Sequence, residues 1–221
     1  MKERPILFNA PMVRAILADI KKVTRRPVRF QPDVPVTDAV PRRNVPHGPP
    51  TIDWYWRPKH GHLNGVPSAG WNFRCPYGQP GDRLWVRETF GSQVRRDAAG
   101  GTGRFTVYRA SKPDAIDYVG ASGKEYPVKW KPSIHMPRHL SRVLLEITNV
   151  RVERLQEISG DQAEAEGVDA AMCQEYLDTS PSRFECKEAV IHGFAGLWQS
   201  TGGNWDANPW VWVVEFKRVT S

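Results

Sequence analysis

The chain holds only three cysteines, Cys75, Cys173 and Cys186, far apart and without a C-x-x-C pair. That excludes a disulfide-stapled scaffold and fits a reducing compartment. No apolar run approaches the roughly 18 residues that span a bilayer, so no membrane helix is expected. Met1-Lys2-Glu3-Arg4-Pro5 lacks the apolar stretch and cleavage site of a secretory leader, and the expected location is the cytoplasm. Several catalytic signatures are missing too. There is no H-x-E with P-C-x-x-C, as zinc deaminases require, and no G-x-S-x-G nucleophile elbow. Gly100-Gly101 and Gly202-Gly203 do not match a phosphate-binding loop. His60-x-His62 with Cys75, and His135-x-x-x-His139 with Pro137 inside it, are too loosely spaced for zinc. Neither a metal nor another cofactor is expected.

What is present is aromatic, basic and rich in proline. The 221 residues include nine tryptophans and are 40% hydrophobic, enough for one well-buried core. The net charge of +7 favours a phosphorylated or polyanionic partner. Pro5 to Phe8 reads as an opening strand. Met12, Val13, Ile16, Leu17, Ile20 and Val23 recur at helical spacing, which predicts an amphipathic helix from Pro11 to Thr24, ended by Pro27. From about residue 27 to 80 prolines cluster and periodicity vanishes. This long stretch reads as an insertion on a small fold, with Trp54, Trp56 and Trp71 packing its second half onto the body.

Alternation predicts strands over residues 83–88 and 104–109, and Ser141 to Val152 is strand-like. Pro132 and Pro137 exclude a regular helix between them. Ser159 and Gln162 form a capping box for a short helix over Gly160 to Glu166, with Gly167 as its stop. A second helix is expected over Glu185 to Ser200, with Val190, Ile191, Phe194, Leu197 and Trp198 inward, and a last strand from Trp210 to Phe216. Strands outnumber helices, so an α+β chain forming one domain, a small mixed barrel with flanking helices and long loop insertions, is the expected architecture.

Four blocks resemble the ASCH family: Lys21-x-x-Thr24-x-Arg26, Gly81-Asp82-x-Leu84-x-Val86, Ala163-Glu164-Ala165-Glu166-Gly167-Val168 and Val213-Val214-Glu215-Phe216. They occur in the family's order and cover about a third of the chain. The resemblance implies a PUA-like β-barrel whose cleft holds a nucleoside or nucleotide. One departure is local: the family usually has glycine two positions before the lysine, and here Asp19 stands there. Some small ASCH proteins remove the acyl group from N4-acetylcytidine and related nucleosides. The resemblance assigns that metal-independent amidohydrolase chemistry to Lys21, Thr24 and Glu166.

On the predicted helix, Lys21 and Thr24 are three apart and share a face. A lysine whose pKa is lowered by burial would take the threonine proton, leaving Thr24 as nucleophile and Glu166 as acid/base. Alternatively, the lysine and glutamate activate water and Thr24 only positions it. The purely structural use is a lysine reaching into solvent and a threonine bonded to its own backbone. Arg25 and Arg26 are candidates to clamp a phosphate or base edge, while Trp85 and Trp212 offer stacking surface. Glu88, closing the Trp85 strand, joins the candidate substrate-binding set. The rival function is a non-catalytic RNA or modified-nucleotide module, and ribonuclease activity is a third.

Overall fold

The computed structural model describes residues 1–33, 35–41, 53–58, 72–96, 102–112, 118–120, 122–168, 173 and 187–219. Trp71, His60, His62, Cys186 and Gly100-Gly101 lie outside these. In chain order the elements are β1 (Glu3–Leu7), α1 (Ala10–Leu17), β2 (Val23–Pro27), β3 (Val36–Pro41), β4 (Asp53–Pro58), β5 (Asn72–Arg74) and β6 (Arg83–Arg87). Then follow β7 (Phe90–Arg96), β8 (Thr102–Tyr108), β9 (Tyr118–Val119), β10 (Glu125–Tyr126) and β11 (Lys129–Lys131). The last are β12 (Leu144–Arg154), α2 (Gly160–Ala165), α3 (Lys187–Ser200) and β13 (Trp210–Arg218). The fold is a mixed α+β arrangement, mostly sheet with few helices.

A five-stranded sheet in the order β1-β6-β12-β13-β2 organises the molecule. Among the described residues it stays open, with β1 and β2 at its edges, and the sheets do not close into the expected barrel. β1 runs parallel to β6, and the other pairings are antiparallel. β13 is central, and both its faces are covered. Trp210, Trp212, Val214 and Phe216 enter one buried cluster with α1, β1 and β6, while Val211 and Val213 enter another with α2 and α3. This is the near-continuous apolar run expected of a strand buried on both faces.

The predicted helix through Thr24 is corrected: α1 ends at Leu17. The reason is local. Asp19 adopts a left-handed φ of 59°. The Ile20 amide then donates to the Ala15 carbonyl at 2.9 Å and the Asp19 amide to Ile16 at 3.1 Å, which is a Schellman closure. The position where the ASCH pattern has glycine is the left-handed one, and aspartate occupies it here. Beyond this stop Ile20 is exposed, and Val23 belongs to the cluster on the far face of the sheet from Val13 and Ile16.

The proline-rich insertion contains a three-stranded sheet, β3-β4-β5, where no strands were expected. Its packing follows expectation: Trp54, Trp56 and Phe73 are buried in the same cluster as Trp210 and Trp212. The Trp56 and Phe73 rings stack with centroids 4.5 Å apart, and Trp54 meets Trp212 edge-on at 5.3 Å. The capping box also forms. Ser159 Oγ accepts from the Gln162 amide, and Gln162 Oε1 accepts from the Ser159 amide. Near Pro132 and Pro137 only single 3-10 turns occur.

Candidate functional site

Lys21 lies between the Schellman turn and β2. Its side chain is wholly inaccessible, and Nζ donates to Glu166 Oε2 at 2.5 Å and to the Glu166 carbonyl at 2.7 Å. Glu166 caps the end of α2. Gly167, at φ 90°, turns the chain away immediately. Only glycine suits that place twice over: a Cβ there would meet Ala15 Cβ at 3.0 Å and Lys21 Cβ at 3.4 Å, besides the strain of the left-handed backbone. The Lys22 amide donates to the Ala165 carbonyl at 2.8 Å and fixes the register of the two segments.

Alternation along β2 sorts the next residues. Arg25 pairs with Val213 and turns toward α2 and α3, while Thr24 and Arg26 pair with Val214 and Trp212 and take the opposite face. Arg25 is fully buried. It donates to Glu166 Oε1 at 3.3 Å, Glu153 Oε1 at 2.5 Å and Gln162 Oε1 at 2.8 Å. Its guanidinium also faces the Phe194 ring at 5.8 Å. Glu153 is held in turn by Arg151, which also pairs with Glu215. The charges therefore alternate in one chain, Arg151, Glu153, Arg25, Glu166, Lys21. Buried charges persist only when matched in this way.

Burial pushes the Lys21 ammonium below its ordinary value of 10.5, against the pull of the Glu166 carboxylate, while Arg26 and Arg25 press the same way as burial. This is the pattern of a lysine tuned by its surroundings. Thr24 is buried, and its hydroxyl has no hydrogen-bond partner among the described residues. Arg26 donates from Nη2 to the Leu7 carbonyl at 2.6 Å and lies over Phe8 at 5.3 Å, with its Nε buried and unpartnered.

Thr24, Arg25, Arg26 and Glu166 line one cavity of about 220 Å³, together with Met12 of α1 and Phe194 and Trp198 of α3. Lys21 does not line it and acts on this space only through Glu166. The Trp198 Nε1 is buried without a partner, a donor that sequence reading gave no role. Glu153 and Gln162 were missed as well; Gln162 was read as a cap, and its carbonyl oxygen serves Arg25 too.

Trp85 and Glu88 sit apart from this cavity. Trp85 pairs with Pro5 and Leu144 in the sheet, with the Arg87 guanidinium over its ring at 5.5 Å. Both oxygens of buried Glu88 receive Arg142, at 2.8 and 3.0 Å. Trp212 is buried and lines a different cavity. Among the described residues no three histidine, cysteine or acidic side chains gather as metal ligands, and no helix is long and apolar enough to cross a membrane. Comparison with protein-family models, curated proteins and solved structures gives no match.

Proposed function

We propose that the protein is a metal-independent amidohydrolase of the ASCH type, acting on N4-acylated cytosine nucleosides. The observation that carries this reading is the buried Lys21–Glu166 pair set against the unpartnered Thr24 hydroxyl on the wall of a cavity of about 220 Å³. A space of that size is below the usual range for drug-sized ligands and suits one acylated base.

The chemistry follows from who faces the cavity. Thr24 Oγ attacks the acyl carbon, and its proton passes through a water in the shared cavity to the Glu166 carboxylate, which borders the cavity from the other face of β2. The C–N4 bond then breaks, and the same proton goes to the leaving N4, releasing cytidine. Water repeats the sequence on the acyl-threonine ester and frees the acid. The Trp198 Nε1 and Arg26 Nε, both lacking partners, supply donors for the developing oxyanion. Lys21 holds Glu166 in place, which makes it a positioning residue. This refines the expectation in which Lys21 itself activated Thr24. Of the described part of the insertion only Pro27 lines this cavity, so acyl selectivity falls mainly to Met12, Phe194 and Trp198.

The test is ultraviolet-monitored hydrolysis of N4-acetylcytidine by wild type and by Lys21→Met, Thr24→Val and Glu166→Gln. Cytidine release by wild type, lost in folded Glu166→Gln, supports the reading. Unchanged release by Thr24→Val would make water the nucleophile. No release from acetyl- or bulkier acylcytidines, combined with RNA binding that falls steeply with salt, would favour the binding module; cleavage of RNA would favour the ribonuclease.

A further inference from the structure

β2 ends at Pro27, and the chain continues through Val28, Arg29 and Phe30, which border a second cavity of about 750 Å³. Pro27 lines both this cavity and the one beside Glu166. The lining is aromatic. Trp212 and Phe73, both buried, have ring centroids 5.3 Å apart, and Tyr77 stands beside them. Phe30 is different, with 61% of its surface in solvent. An exposed phenyl at the edge of an aromatic cavity gains from being covered.

The polar groups are few and cationic on balance. Arg74 is neutralised by Asp53, 2.6 Å away, whereas Arg29 is exposed and its recorded contact is the Phe30 ring at 5.3 Å. Two arginines against one aspartate leave one positive charge in the lining. The Tyr77 hydroxyl has no hydrogen-bond partner among the described residues, and burial raises it above its ordinary 10.0, keeping it a neutral donor. An exposed phenyl beside tilted aromatic rings, with one guanidinium and one hydroxyl free among the described residues, matches a base carrying a phosphate better than a peptide or a sugar.

We propose that this cavity is a second binding site, for a nucleotide whose base stacks on Phe30 beside Phe73 and Trp212 and whose phosphate meets Arg29. The nucleotide has two sources: a free mononucleotide, or the neighbour, in a single strand, of the base held beside Glu166. The free-nucleotide form stands independently of the hydrolase reading, because neither Phe30 nor Arg29 touches Lys21 or Glu166; the strand-neighbour form rests on a base being held beside Glu166.

Tryptophan fluorescence quenching would measure binding of cytidine 5′-monophosphate, a short oligocytidylate and inorganic phosphate. The proteins are wild type, Phe30→Ala and Arg29→Gln. The two second-site residues are exposed, so their variants keep the fold. Saturable nucleotide binding, weakened at least tenfold by Phe30→Ala and by Arg29→Gln, supports the site. Binding of the monophosphate identifies a free-nucleotide site, and Phe30-dependent binding of the oligomer alone identifies a strand neighbour. The proposal is overturned if neither probe binds, if both second-site variants bind like wild type, or if inorganic phosphate binds as tightly as the monophosphate. Absence of acylcytidine hydrolysis by wild type alongside Phe30-dependent binding of the monophosphate would sink the hydrolase reading and leave this one standing.

Discussion

At the residue scale the decisive fact is that Lys21 and Glu166 are each other's solvent. Removing one partner strands the other charge in the interior, which costs about 3–5 kcal/mol. Glu166→Gln should therefore lower the urea midpoint markedly, while Lys21→Met with Glu166→Met should recover much of the loss; strict additivity in that cycle would count against the pair. The pH dependence follows from the direction of the Lys21 shift. A lysine lowered from 10.5 by burial contributes stability that is complete above 10.5 and is lost as pH falls through its folded value. Relative to Lys21→Met, wild type should gain stability as pH rises toward 10.5, and a difference that is flat or falling would contradict the burial argument. Cys75 behaves oppositely. Burial pushes its thiol from 9.0 to about 11, so its contribution is complete below 9.0 and is lost on the way up. Peptide mapping after alkylation below 9.0 should find Cys75 unlabelled until the protein unfolds.

Lys21, Thr24 and Glu166 stand out in the sequence because their order resembles the ASCH pattern, while their contacts were not legible there. Sequence spacing offered a lysine and threonine on one helix face; the chain places them around a turn and an edge strand. Arg25 illustrates the limit. Its charge suggested a phosphate clamp, yet it is buried on three acceptors, and only the alternation of β2 against β13 decides which way it points.

At the element scale, the misplaced helix end teaches most. Hydrophobic periodicity continued through Ile20 and Val23 by coincidence, since Val23 repeats the spacing while serving the other core. Asp19 carried the stop signal, being the position where the resembling family has glycine. The left-handed turn predicts that Asp19→Gly leaves stability unchanged or raises it, while Asp19→Val costs about 1–2 kcal/mol, as thermal melts would show. A Val variant as stable as wild type would mean the turn is not fixed by this residue. α2 was placed correctly because a capping box and a terminal glycine are local signals. The strands β3 to β5 were not, because proline-rich strands show no clean alternation and their order comes from Trp54, Trp56 and Phe73 reaching the main core. Trp56→Ala should cost about 3–5 kcal/mol in a denaturant titration, far more than a decorative loop could lose.

For the whole molecule, the central sheet explains why a site forms at its edge. β13 is buried on both faces, so polar chemistry is displaced to β2, where an edge strand leaves room for α1 on one side and α2 with α3 on the other. The mixed α+β class was legible from strand count. The expected closure into a barrel is not seen: it depends on pairings between strands distant in sequence, and among the described residues the sheet ends open at β1 and β2. The account as a whole rests on Glu166 being the proton-carrying group of that edge site, held by Lys21. The most direct test is the rate of cytidine release from N4-acetylcytidine by Glu166→Gln, set against wild type at matched folded fraction. The account predicts loss of at least a hundredfold, the scale of a removed general acid–base; a folded variant that retains wild-type release would contradict it.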